Sequence, residues 1–405
     1  MDIKSTDFIK MNKEKEIMKM KFKRLIVLTF TMAVCFSSFT AAEACSSFFL
    51  NTKTQKVFAY NLDVPINNLQ GHIFINKKYQ KKTAYMPWND KPLHWTSKYN
   101  SITFNFIGKD FPFAGMNEKG LCVSETSLYD TEYPAKNSNP VVGTLQWIQY
   151  QLDTASTVKQ VIENSSKIRI SQNTSACVFL VSDREGNAAV IENLDGHLVI
   201  HTGNSLSSPV ISNRNYNDAL KHLVDFNFKS QNSDFAQDYY NLYMQKEYPG
   251  IGYDRFILAT YLIKEYQTGK IKLPIVDYAF FMLHQMRQES KWAVTQWSIV
   301  FNPINSSIYY RTKHNQKIKK IDFQDFDFNK NQIINIYKNF KNVKDVTENF
   351  TVQKNNKIIS KAFTELKPEM FKGLLPRSIK DPIKNYYTWS RGMPEYIEKQ
   401  YSENN

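Results

Sequence analysis

The sequence predicts an α+β layered domain, and two patterns carry that prediction. Short apolar stretches come in pairs around turn-forming residues, the mark of antiparallel hairpins. Stretches with helical apolar spacing stand between those pairs instead of after every strand. That order suits helices laid on antiparallel sheets and argues against alternating βαβ units.

Taken in order, "SSFFL" and "KVFAY" flank the turn "NTKTQ", and "FPFAGM" and "LCVSET" flank "NEKG". Residues 143 to 163, "GTLQWIQYQLDTASTVKQVIE", place apolar residues at helical intervals. A third hairpin, "ACVFLVS" and "AAVIEN" around "DREGN", continues through "LDG" into "HLVIH". Residues 215 to 288 hold further helical spacing, and a fourth hairpin joins "TQWSIVF" to "SIYYRT" through "NPINS". From about Asn329 to Asn405 the chain turns Lys- and Asn-rich without a clear period, and we read 329–405 as an extension packed on or peripheral to a main domain of residues 45–328.

Residues 1–44 read as a leader that is removed. A basic run (Lys19, Lys21, Lys23, Arg24) precedes an apolar run from Leu25 to Phe36, and Ala42 and Ala44 flank Glu43 at a cleavage-type site. The apolar run falls short of the roughly 20 residues of a spanning helix. The polar segment before Met18 is an upstream start or a ragged leader. Export to the periplasm or the outside is therefore expected, and cutting after Ala44 makes Cys45 the first residue.

The 405 residues carry 52 Lys and Arg against 38 Asp and Glu, a formal net charge of +14. The excess is spread along the chain with no Arg-rich block, which argues against nucleic acid and allows weak association with an anionic membrane surface. No Gly-rich phosphate loop, internal repeat or paired-Cys zinc pattern is present, so no metal or organic cofactor is implied. A homo-oligomer is left open. Beyond the leader the cysteines are Cys45, Cys122 and Cys177. Cys122 and Cys177 lie in apolar, strand-like surroundings that suit buried structural thiols; a disulfide between them depends on a proximity that sequence does not give.

Cys45 at a free N-terminus combines a nucleophilic thiol with an α-amine of ordinary pKa roughly 7.7 to 8.0, a base in the same residue. Such a residue attacks an amide carbonyl and forms a thioester without a catalytic histidine. The rival reading is a lipid-anchored surface protein whose Cys45 is diacylated, although Ala42 and Glu43 stand where a larger aliphatic and a small residue usually precede such a cysteine.

The chain resembles the choloylglycine hydrolase family, cysteine N-terminal-nucleophile hydrolases that include bile salt hydrolases and penicillin V acylases. The likeness runs in order from "CSSFFL" through "FAYNLD", "MNEKGLCVSETSL", "LVSDREGNAAVIENLDG", "PVISNRNYN" and "YDRF" to "TQWSIVFNPINSSIYYRT". It implies a four-layer αββα N-terminal-nucleophile hydrolase fold with two stacked antiparallel sheets. It further implies that Cys45 is the nucleophile, Asp63 the carboxylate that holds the terminal amine, Asn213 an amide donor to the oxyanion, and Arg255 a cation close to the sulfur.

Two departures accompany the likeness. Tyr60 stands where bile salt hydrolases carry the arginine of "RNLD", which leaves Arg255 as the expected cation near Cys45. The second oxyanion donor falls around Thr126 to Tyr129 without a fixed register. By analogy Tyr60, Trp88 and Tyr129 line the acyl pocket, with Tyr60 and Tyr129 as the substrate-binding pair. The expected activity is hydrolysis of a linear, non-peptide C–N bond in a small amphipathic N-acyl substrate; a catalytically silent relative is the other alternative.

Overall fold

The computed structural model describes residues 45–88, 90–229, 252–290 and 293–402. The leader assigned to residues 1–44 lies outside the described residues, as does part of the helical stretch expected between 215 and 288.

The hairpins become two antiparallel sheets. The first runs Val210–Ile211, Ser46–Asn51, Lys56–Asp63, Thr295–Asn302, Ser307–Thr312 and Asn315–Asp322. The second runs His197–Thr202, Ala188–Leu194, Cys177–Ser182, Cys122–Ser127, Ala114–Asn117, Ser101–Asn105, His72–Asn76, Gln332–Asn335 and Glu348–Asn349. Because successive strand residues point to opposite faces, each central strand here must bury both. The strand Lys56–Asp63 is buried at every position after its first.

The sheets stack face to face. Phe104 of the second sheet meets Phe301 and Tyr310 of the first, with ring centroids 5.9 and 5.7 Å apart, and Ser124 Oγ lies 2.8 Å from Ser47 Oγ across the same gap. Helix Ile275–Gln285 covers the outer face of the first sheet, where Asn61 donates to the Leu283 carbonyl at 2.8 Å. Helix Thr144–Thr154 covers the outer face of the second, and Trp147 stacks on Phe179 with centroids 4.1 Å apart. The order is helix, sheet, sheet, helix, the four-layer αββα fold.

The segment after residue 328 is regular, against the patternless reading of its sequence. Strand Gln332–Asn335 pairs with His72–Asn76, and helices Val352–Leu366 and Pro382–Ser402 join the outer layer beside Thr144–Thr154. Their buried residues, Ile359, Phe363 and Leu366, then Tyr386, Trp389, Met393, Ile397 and Tyr401, recur at helical spacing. The lysines of these helices lie on the outer face, whereas Asn355 and Asn385 are buried with the apolar residues. Beneath the last helix, Lys82 is fully buried with Asp110 and Asp153 each 2.9 Å from its ammonium, and Tyr401 donates to Asp110.

Cys122 and Cys177 are buried at opposite ends of one strand pair: Cys122 faces Ser182, and Cys177 faces Ser127. At about 3.4 Å per residue along a strand, this register keeps the two thiols beyond disulfide reach.

Candidate functional site

Cys45 opens the strand Ser46–Asn51, whose antiparallel partner Lys56–Asp63 ends at Asp63. The hairpin turn therefore brings residues 18 positions apart side by side. The Asp63 N–H donates to Cys45 Sγ at 3.4 Å, and the Tyr60 hydroxyl donates to the same sulfur at 3.9 Å. Cys45 is 1% exposed.

The side chain of Asp63 lies among polar groups of neighbouring elements. Thr295 donates to its Oδ1 at 2.5 Å, while among the described residues Oδ2 accepts no hydrogen bond and stands 4.0 Å from Arg255 Nη1. Burial pushes the carboxyl up to about 7, against the opposing pull of Arg255, the Thr295 hydroxyl and Arg287. A buried carboxylate oxygen without a donor is costly.

Arg255 enters from the first turn of helix Tyr253–Gln267. Its Nη1 donates to the Cys45 carbonyl and to Ser46 Oγ, both at 2.7 Å, and its Nη2 donates to Asn213 Oδ1 at 3.2 Å. That last bond fixes which way the Asn213 amide faces, so its Nδ2 donates to the Ser127 carbonyl at 2.9 Å. Asn213 takes a left-handed backbone, φ 64°, which asparagine tolerates better than most residues, and its N–H is held by Thr126 Oγ1 at 3.2 Å. Gly252 permits the approach of helix to turn. Its φ is 114°, and a Cβ there would stand 2.5 Å from the Ser212 carbonyl. Only glycine fits.

Four of the expected residues, Cys45, Asp63, Asn213 and Arg255, thus share one cluster, together with Tyr60. Tyr129 is half-buried in the turn just after strand Cys122–Ser127, two residues past the carbonyl that Asn213 holds. Trp88 packs instead against Trp389 of the last helix, centroids 5.8 Å apart, and borders a cavity of about 370 Å³ with Gln172, Asn173 and Lys384. The sequence reading missed Ser46, Thr295 and Ser127. The first two were within reach of it, since Ser46 follows the nucleophile and Thr295 opens a recognised strand that pairs beside Asp63. Among the described residues, no group of three or more His, Cys, Asp or Glu is placed to hold a metal ion.

The model of the linear amide C–N hydrolases, choloylglycine hydrolase family, matches residues 45–337, beginning at the cysteine of this cluster. The chain belongs to the choloylglycine hydrolase family. A penicillin V acylase from Pectobacterium atrosepticum is 32% identical over 125 residues, which are 27% of this chain and 33% of that one, so the aligned part spans a third of that relative. Among solved structures, a penicillin V acylase from Agrobacterium tumefaciens superposes with TM-score 0.63 at 17% identity, covering 76% of this chain and 98% of that one. A mutant conjugated bile acid hydrolase from Clostridium perfringens gives TM-score 0.58 at 19% identity, covering 73% and 97%. At these identities the structural likeness is one of fold. The choloylglycine hydrolase match and the local cluster meet at the same residue, Cys45.

Proposed function

We propose that the protein is an exported hydrolase of linear amides that works through a thioester on Cys45 once the peptide bond after Ala44 has been cut. The observation that carries this reading is the buried, undonated Asp63 Oδ2 on the residue whose own N–H holds the Cys45 sulfur. An α-ammonium released at Cys45 supplies the missing donor and cation, and Asp63 orients it.

The steps follow from the cluster. The neutral amine of Cys45 takes the thiol proton, and Sγ attacks the acyl carbonyl. Negative charge developing on the carbonyl oxygen is met by the Asn213 amide and by N–H groups near Ser127, the kind of donor whose loss costs on the order of 10² to 10³ in rate. Collapse breaks the C–N bond, the Cys45 ammonium returns its proton to the leaving amine, and the acyl group stays on sulfur. Water, deprotonated by the same amine, then attacks the thioester. The C–S pair returns to sulfur and the acid leaves.

Pocket loops decide whether the acyl group is a steroid acid, a phenoxyacetyl group or a fatty chain, since one methylene is worth only about 1 to 3 kcal/mol there. The test joins intact-mass analysis of the secreted protein to a substrate panel of taurocholate, penicillin V and N-acyl homoserine lactones. The expected result is an unmodified Cys45 N-terminus and turnover of at least one compound. A diacylglyceryl adduct on Cys45 overturns the reading.

A further inference from the structure

We propose that the Tyr60 hydroxyl is a hydrogen-bond donor to the Cys45 thiolate, so that Tyr60 serves the reacting sulfur itself instead of the acyl group of the substrate. The proposal rests on the thioester reading above for its catalytic consequence and on geometry for the contact.

The contact is fixed by sheet register. Tyr60 pairs with Ser47 on one side and Ile299 on the other. Directly paired residues of antiparallel strands point to the same face. Ser47 faces the second sheet, because its Oγ meets Ser124 Oγ at 2.8 Å. Tyr60 therefore points into the gap between the sheets, as does Phe58 two residues earlier, whose ring meets Phe301 at 6.2 Å. Cys45, two residues before Ser47, shares that face by the same alternation. The Tyr60 ring thus reaches the sulfur with its hydroxyl, 3.9 Å away.

The polar groups divide by face. Ser46, paired with Asn61, lies on the opposite side of the strands, where Arg255 donates to its Oγ and Asn61 donates to the covering helix. Both hydrogens on Arg255 Nη1 are used, one on the Cys45 carbonyl and one on Ser46 Oγ. The arginine holds the cysteine by its backbone. The sulfur's donors include the Asp63 N–H at 3.4 Å and the Tyr60 hydroxyl, and the thiol itself donates to the Asp63 carbonyl at 3.7 Å.

A buried thiol needs such donors. Cys122 shows the scale of the burial cost, its pKa being driven far above the usual thiol value even though a Ser182 hydrogen bond opposes the rise. Two donors aimed at sulfur favour the thiolate over the thiol, and they act twice in the proposed cycle: when Sγ is deprotonated for attack, and when the C–S bond breaks and the electron pair returns to sulfur. A phenol suits this place because it is neutral, planar and anchored on a central strand, so it brings no charge into the apolar gap between the sheets.

The test measures thiolate formation without requiring turnover. Processed protein beginning at Cys45 is alkylated with iodoacetamide across pH 5 to 10, and Cys45 is followed by peptide mass analysis in wild type and Tyr60→Phe. The expected result is an upward shift of the alkylation midpoint of about one unit, roughly a tenfold loss of rate near neutrality, and a comparable fall in kcat with KM little changed for whichever amide the wild type cleaves. An unchanged midpoint in a Tyr60→Phe protein with native circular dichroism overturns the proposal. If Tyr60→Phe fails to fold, 3,5-difluorotyrosine placed at position 60 provides the second arm. While it stays protonated a more acidic phenol donates more strongly, so alkylation at pH values below the fluorophenol's own ionisation should speed up; no change there overturns the proposal. A wild type that cleaves no linear amide sinks the hydrolase reading, while the alkylation arm still decides the role of Tyr60.

Discussion

Arg255 donates through Nη1 to the backbone carbonyl of Cys45 at 2.7 Å, across 210 residues of sequence. The guanidinium is therefore a clamp as well as a charge. It joins the cysteine, Ser46, Asn213 and the Asp63 carboxylate, which come from two strands and a turn. No single-nitrogen cation reproduces that fork.

Arg255→Gln should disable the site by two routes. It removes the largest cationic partner of a fully buried carboxylate, and breaking a buried pair from one side costs about 3 to 5 kcal/mol. It also releases the Asn213 amide from its fixed orientation. We expect a lower urea midpoint and a fall in kcat of about 10², with Arg255→Lys recovering part of the stability and little of the rate. Wild-type kcat in Arg255→Gln would show the clamp to be irrelevant to the chemistry.

A chain that keeps even one residue before Cys45 should be inactive, because an amide nitrogen cannot accept the thiol proton. Comparing full-length, Ala44-extended and processed proteins on the same substrate checks this. Equal rates would remove the amine from the mechanism.

Cys45→Ser should fold and lose several orders of magnitude in turnover, since a hydroxyl is far harder to deprotonate than a thiol. Cys45→Ala should be inactive, and Cys122→Ala should retain activity. The reverse pattern would mean that another thiol carries the reaction.

The Asp63 titration gives a pH prediction with a definite sign. In the full-length chain the carboxyl is raised from 3.8 to about 7 by burial. Between about pH 4 and 7 the folded form keeps a proton that the unfolded chain has released, so stability is fully present below that window and declines as pH rises through it. Freeing the Cys45 amine places an ammonium beside Asp63, lowers its pKa and flattens the slope. Urea midpoints at pH 4.5 and 7, for full-length and processed forms and for Asp63→Asn, report it; the asparagine variant should show the shallowest dependence.

The outer layer built by the last seventy residues should prove indispensable. Lys82→Met leaves Asp110 and Asp153 facing each other without the ammonium that bridges them, a change of the kind that costs about 3 to 5 kcal/mol. Ending the chain at Asp381 removes Trp389, Met393 and Ile397, each nearly or fully buried, at about 1.5 to 3 kcal/mol of burial apiece. Insoluble expression of the shortened chain is the expected outcome, and a soluble, active one would refute it.

What the sequence by itself determined is what lies close along the chain. The four hairpins were legible because a turn and its flanking strands are encoded within about fifteen residues, and each stands where its turn signals place it. Cys45 was singled out as a candidate by the small residues before it and the strand-like run after it. The helical spacing of Ile359, Phe363 and Leu366 was there to be read too, but the exposed Lys354, Lys357 and Lys361 and a buried Asn355 blurred it. Tertiary structure alone decided the rest. It set Gln332–Asn335 beside His72–Asn76, seated Arg255 on the Cys45 carbonyl, and turned the Tyr60 hydroxyl toward sulfur. Those relations depend on which strands become neighbours, in what register, and on which face each layer docks. The turn chemistry of one sequence fixes the register within a hairpin; the meeting of layers is fixed only when their buried faces pack.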